Sequence, residues 1–136
     1  MFLADTSALH RSNHPDVVEE WARRLDRDQI ATTAPVRLEF LYSARSAADY
    51  VQLSEDLDAL HRLPCGEQAH QRAEQVQCLM AEQHALHHRS VKVVDLLIAA
   101  VGELSGATIW HYDEDYDRIA AVTGQATEWI APRGSL

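Results

Sequence analysis

Several residue types that would carry common functions are scarce in this chain. There are only two cysteines among 136 residues, Cys65 and Cys78, in no CxxC or zinc-ligand spacing, so both read as reduced structural thiols. Five glycines and four prolines form no linker, repeat or low-complexity run, so residues 1–136 read as one domain. No apolar run approaches the roughly 20 residues of a membrane span, and MFLAD is too short and too acidic for a signal peptide. No membrane partner is expected, and a cytoplasmic location is. Positive charge is also sparse. Lys92 is the single lysine, and the formal net charge is −9. The deficit is uneven, because residues 1–45 carry six arginines against seven acids, and residues 46–136 six basic residues against fourteen acids. Charge alone therefore does not exclude a nucleic-acid partner, and it suits a basic one.

Short apolar runs alternate with amphipathic segments. MFLAD, QIATT, ATIWHY and ATEWIA read as strands. Thr6 or Ser7 is placed to cap a short helix, Pro15 to open a second, and Pro35 to start the helix VRLEFLYSA. Longer helices are expected near 47–61 and 67–86, followed by VVDLLIAAVGEL, nearly apolar and so buried, which Gly106 stops. EDYDRIAAV supplies a last helix. Strands alternating with helices imply an α/β fold with a central, mostly parallel sheet, whose ligand site lies beyond the carboxyl ends of the strands. Asp5 and Asp113 both fall at such ends.

Around Asp113 the acids crowd: HYDEDYD holds three aspartates and a glutamate within Asp113–Asp117. At an effective dielectric near 20, two carboxylates about 4 Å apart repel by roughly 4 kcal/mol. Asp5, Asp113 and Asp115 each have an ordinary explanation as helix caps, and Glu114 and Asp117 as solvated first-turn residues. Glu39, inside RLEFL, and Asp95, between VKVV and LLIAAV, resist that explanation, because their apolar neighbours point them at or near the core. A structural partner such as Arg37 or Arg89 is one solution. The other is a shared cation: carboxylates from separate segments, meeting at strand ends, make an oxygen-rich site for Mg²⁺ or Mn²⁺.

The ordered set DTS, LE in RLEFL, DLLIAA and HYDEDYDRIA resembles the PIN-domain ribonucleases, and among them the VapC-type toxins of bacterial toxin–antitoxin modules. The likeness spans essentially the whole chain. It implies a three-layer α/β/α PIN-like fold and a divalent-metal-dependent endoribonuclease that hydrolyses RNA phosphodiester bonds. It carries the family's acidic quartet onto Asp5, Glu39, Asp95 and Asp113, with Asp115 as the further acid. Asp5, Asp95, Asp113 and Asp115 would then hold the metal, while Glu39 would ligate, orient a water or act as a base. Thr6 and Ser7 match hydroxyls that steady the first aspartate. Tyr116 stands where Phe is common, and His111–Tyr112 where Thr or Ser often occurs. The resemblance also implies a homodimer and a cognate VapB-type antitoxin as partners.

Other features read plainly. Arg11 and Arg37 are candidates for gripping RNA phosphates, against ordinary surface charge. His84 and His88, four apart, lack a third ligand and read as a solvated helix end. Trp21 reads as core, and Leu53, Leu57 and Leu60 as either core or the wall of a partner groove. Two other functions compete. A metal-dependent phosphatase or phospho-acceptor domain would use Asp5 as nucleophile, but the second acid expected two residues later is Ser7. A non-catalytic PIN-like binding module would keep the fold without turnover.

Overall fold

Five strands of three or four residues, β1 (Phe2–Ala4), β2 (Ile30–Thr33), β3 (His61–Leu63), β4 (Thr108–His111) and β5 (Thr127–Trp129), pair in the order β3-β2-β1-β4-β5. The computed structural model describes residues 1–136, and every pairing in the sheet is parallel. Helices α1 (Thr6–Leu9), α2 (Val18–Asp26), α3 (Ala34–Leu41) and α4 (Ala47–Asp58) connect β1 to β2 and β2 to β3. Helices α5 (Glu67–Gln83), α6 (Val93–Ser105) and α7 (Asp115–Thr123) carry the chain back to β4 and β5. Right-handed crossovers running in opposite directions place the two sets on opposite faces. Strand β4 shows it directly, since neighbouring strand residues point to opposite faces. Trp110 stacks on Trp21 of α2, whereas Ile109 lies against Gly102 of α6.

The direction of the connections reverses between β1 and β4, which register Leu3 with Ile109 and Ala4 with Trp110. Such a switch point leaves a crevice above the carboxyl ends of the two strands. The core on either side is built from Leu3, Ile30, Val36, Ile98, Ile109 and Ile119, all essentially inaccessible. Trp21, expected in the core, is only half-buried and packs against it.

Several boundaries differ from the sequence reading for identifiable reasons. The helix expected through residue 61 ends at Asp58, and His61–Leu63 instead pairs with Ala31–Thr33 as an edge strand. HRL has no apolar alternation to announce it; the backbone ladder makes it a strand. Pro15 precedes the first turn of α2 rather than opening it, and Val17 stands at the N-cap without a side-chain hydrogen bond. The α5 helix stops at Gln83 because the chain turns, with Leu86 in the left-handed region at φ 62°. Gly106 ends α6 as expected, at φ 67°.

Gly102 lets α6 approach the sheet closely: a Cβ there would collide with Cδ1 of the fully buried Ile109. Alanine would gain about 1 kcal/mol of helix propensity, but overpacking a close-packed core costs about 1–3 kcal/mol. Gly102→Ala is therefore expected to lower the melting temperature by several degrees, read by circular dichroism. A variant as stable as wild type would show that Ile109 can yield.

Candidate metal centre

Asp5 leaves β1 into the crevice and caps α1, so one carboxylate does two jobs. Its Oδ2 accepts the Ser7 backbone N–H at 2.9 Å and the Ser7 hydroxyl at 2.5 Å. Asp5, rather than Thr6 or Ser7, is thus the cap, while Ser7 is the hydroxyl that steadies it. The Thr6 hydroxyl is buried without a partner. Ser7 Oγ also accepts the Tyr112 backbone N–H at 2.9 Å, tying the loop after β4 to Asp5.

Asp95 sits in the first turn of α6 and is 2% exposed. The buried Tyr116 hydroxyl lies 2.6 Å from Asp5 Oδ1 and 3.3 Å from Asp95 Oδ1. One hydroxyl proton serves one acceptor at a time, and the distances favour Asp5. Asp95 Oδ2 has no hydrogen-bond partner at all. Burial, then the nearby Asp5 charge and a carboxyl contact with Asp115, push Asp95 up to about 8.

The loop after β4 and the start of α7 supply Asp113 and Asp115. Asp113 donates its backbone N–H to His111 Nδ1 at 3.1 Å and accepts the Asp115 N–H on Oδ1 at 3.0 Å. Burial alone would raise the Asp113 pKa, but that N–H and the Lys92 ammonium outweigh it and hold the carboxyl below its usual range. Asp115 accepts the Lys92 backbone N–H at 3.1 Å and Arg118 Nη1 at 2.9 Å. The outer acids of the knot are committed elsewhere: Glu114 pairs with Arg118 and Arg133, and Asp117 accepts the Trp129 indole N–H.

Two groups of carboxylates result, and Asp95 belongs to both. Ligand oxygens of Asp5, Glu39 and Asp95 lie within 4.8 Å of one another, as do those of Asp95, Asp113 and Asp115. All five acids singled out in the sequence therefore meet at the switch point. The donor set is entirely oxygen, and the buried Asp95 Oδ2 is orphaned within it, which suits a hard divalent cation. His84 and His88 join no such group.

Other sequence expectations are corrected. Glu39 lies near the core and not within it, half-buried with its carboxylate beside Asp5 and Asp95, and the exposed neighbour on α3 is Leu38. Arg37 is the buried charge of that helix, bound to Ser54 Oγ at 3.2 Å and Asp58 Oδ1 at 3.0 Å, so it neither pairs with the acids nor reaches solvent to grip phosphate. Arg89 is exposed. The positive charge nearest Asp95 and Asp113 is Lys92, beside Arg118 on Asp115, and the buried hydroxyl between Asp5 and Asp95 is that of Tyr116. Their spacing, Lys92 three residues before Asp95 and Tyr116 three after Asp113, is the only signal the sequence offers for either.

The family model for the PIN domain matches residues 2–122. The chain is 55% identical over 136 residues to Ribonuclease VapC18 of Mycobacterium tuberculosis, covering all of this chain and 99% of that protein. It is 38% identical over 135 residues to Ribonuclease VapC51 of the same organism, covering 99% and 96%. Among solved structures, the DNA-bound VapBC complex from Salmonella typhimurium contains a chain that superposes with a TM-score of 0.77 at 18% identity, over 96% of this chain and 98% of that one. A parallel sheet with carboxylates gathered at its switch point defines the class, and the chain belongs to the PIN-domain family.

Proposed function

We propose that this protein is a divalent-metal-dependent endoribonuclease, the toxin of a VapBC-type toxin–antitoxin module, which hydrolyses RNA phosphodiester bonds. The observation that carries the reading is the orphaned Asp95 Oδ2, buried among carboxylates with which it shares two ligand groups. An ionised carboxylate buried in that position costs several kcal/mol unless it takes up a proton or a cation meets it. The names of the curated relatives, ribonucleases of the VapC series, support the substrate class.

Asp5, Asp95 and Asp113 would hold Mg²⁺ or Mn²⁺, with Asp115 as a further ligand or a brace. A bound divalent ion supplies charge neutralisation at the scissile phosphate and lowers the pKa of a water. Ser7 and Tyr116 keep Asp5 in place. Glu39, at the mouth, is positioned to orient the attacking water or take its proton. Arg11 stacks 4.3 Å from the Tyr112 ring centroid and donates to the Ser7 carbonyl, which keeps a guanidinium on the rim for RNA phosphates.

Solved structures of similar fold include a toxin–antitoxin complex and a member of the VapBC family of toxin–antitoxin systems, and a cognate VapB-type antitoxin is the proposed protein partner. A cavity of about 580 Å³ between α2 and α4, walled by Leu9, Trp21, Phe40 and Leu53 together with Glu55 and Asp56, offers a part-apolar, part-acidic groove for its segment. A homodimer and a cytoplasmic location complete the proposal. Leu38, Tyr42 and Val93, exposed beside Glu39, are the surface suited to a second copy. No helix is long and apolar enough to cross a membrane. Use of Asp5 as a phosphoryl acceptor is disfavoured, because the acid expected two residues later is Ser7, whose hydroxyl instead donates to Asp5 Oδ2.

Purified protein should cut RNA with Mg²⁺ or Mn²⁺, stop with chelator, and lose at least about a hundredfold in rate as Asp5→Asn, since even partners of metal ligands are worth about 10–100-fold. Cutting that survives chelator, or survives Asp5→Asn undiminished, would overturn the assignment.

A further inference from the structure

The proposed ion site carries a cation of its own. Lys92 is anchored through its backbone N–H, which donates to Asp115 Oδ2. From that anchor the side chain crosses the mouth of the crevice. Its Nζ stands 3.0 Å from Asp113 Oδ2 and 3.9 Å from Asp95 Oδ2, the buried oxygen that no hydrogen bond satisfies. Asp95 and Asp113 belong, with Asp115, to one of the two groups able to surround an ion. An ammonium and a divalent ion would therefore draw on the same oxygens.

The acids and the ammonium are held very differently. Asp113 is fixed by the Asp115 N–H on its carboxylate and by its own N–H on His111 Nδ1, and Asp95 by burial, whereas the Lys92 side chain is 65% exposed. A compact ammonium on a flexible four-carbon stem can swing into water cheaply, and an exposed ion pair holds it only weakly. Lys92 can thus satisfy the cluster and still yield to a stronger cation.

We propose that Lys92 is a tethered counter-ion that neutralises the acidic cluster in the metal-free protein and competes with the incoming divalent ion for Asp113 and Asp95, thereby setting the free-ion concentration at which the site loads. This rests on the metal-dependent reading above. Lys92 is accordingly a positioning residue: it acts through the acids and is not required for bond cleavage. The scarcity of lysine in the chain acquires a meaning here, since its one copy stands where the acidic density is greatest.

The test is titration of MnCl₂ into the full chain by calorimetry, with wild type, Lys92→Met, Lys92→Gln and Lys92→Arg, alongside melting temperatures in EDTA and in saturating Mn²⁺. Both neutral variants should bind Mn²⁺ about five- to tenfold more tightly than wild type and show a larger Mn²⁺-induced rise in melting temperature. Lys92→Arg, which keeps the charge, should stay within about twofold of wild type. A merely structural lysine would lower melting temperatures equally with and without Mn²⁺ and leave the affinity unchanged, which overturns the proposal. So would tightening by Lys92→Arg as large as that by the neutral variants. If wild type and variants alike fail to bind Mn²⁺, the metal-dependent reading falls and this inference with it; wild-type binding that the neutral variants do not tighten sinks this inference alone.

Discussion

Asp95→Asn should make the metal-free protein more stable and the enzyme inactive. Asp95 is nearly inaccessible, one of its oxygens is unpartnered, and its pKa is pushed up to about 8. At pH 7 the unfolded chain carries this group ionised, so folding must either protonate it or bury its charge. Each pKa unit of that displacement is worth about 1.4 kcal/mol. Asparagine removes the cost while nearly preserving size. A gain of about 1–2 kcal/mol, or roughly 4–8 °C in EDTA, is expected after allowing for relaxation around the site. The same change deletes the carboxylate shared by both ligand groups. Cleavage should fall at least about a hundredfold, and Mn²⁺ should no longer raise the melting temperature. A variant less stable than wild type in EDTA would mean that Asp95 is a satisfied structural carboxylate. Stability set against activity in this way is the usual mark of a strained functional group.

Metal affinity should climb steeply with pH. A divalent ion needs Asp95 ionised, and the metal-free protein holds a proton there until about pH 8. Between roughly pH 6 and 8 each bound ion displaces up to one proton, so the Mn²⁺ association constant should rise by nearly tenfold per pH unit and level off above about 8. Calorimetry in buffers of different ionisation enthalpy would count the protons released. A pH-independent affinity across that window would contradict the raised pKa. The stability of the metal-free protein should move the opposite way. Asp95 is raised, so the folded state binds more protons than the unfolded one between their two pKa values, and stability declines as pH rises through that range. His111 opposes this trend at lower pH. Burial lowers its pKa, so its contribution is present above its unfolded value, near 6.5, and is lost as pH falls. The Asp95 slope is therefore cleanest between about 6.5 and 8.

Much of this site was legible from residue types and order because it is built at strand ends. Asp5 after FLA and Asp113 after TIWH are placed by the topology itself: once the strands are parallel and adjacent, the acids that follow them must meet. Asp95 was legible through its incongruity in an apolar helix. Glu39 was legible as a member but not in its burial, because α3 is apolar around much of its circumference yet only part of it faces the core, so Leu38 is exposed and Arg37 is covered. Strand β3 was illegible for the converse reason, since an edge strand of His, Arg and Leu is held by backbone pairing with β2 and shows no periodic pattern. Lys92 and Tyr116 could not be assigned to the site from sequence. Their roles depend on α6 and α7 converging above β4, a tertiary fact with no local signature.

The role proposed for the carboxylates at the switch point is to hold a divalent ion. Crystals of the protein soaked in Mn²⁺ and measured at a wavelength that enhances manganese anomalous scattering test it directly. An anomalous peak is expected within coordination distance of Asp95 Oδ2, flanked by Asp5 or Asp113, and lost in Asp95→Asn. No peak in the crevice at saturating Mn²⁺, or a peak that persists without Asp95, would contradict it.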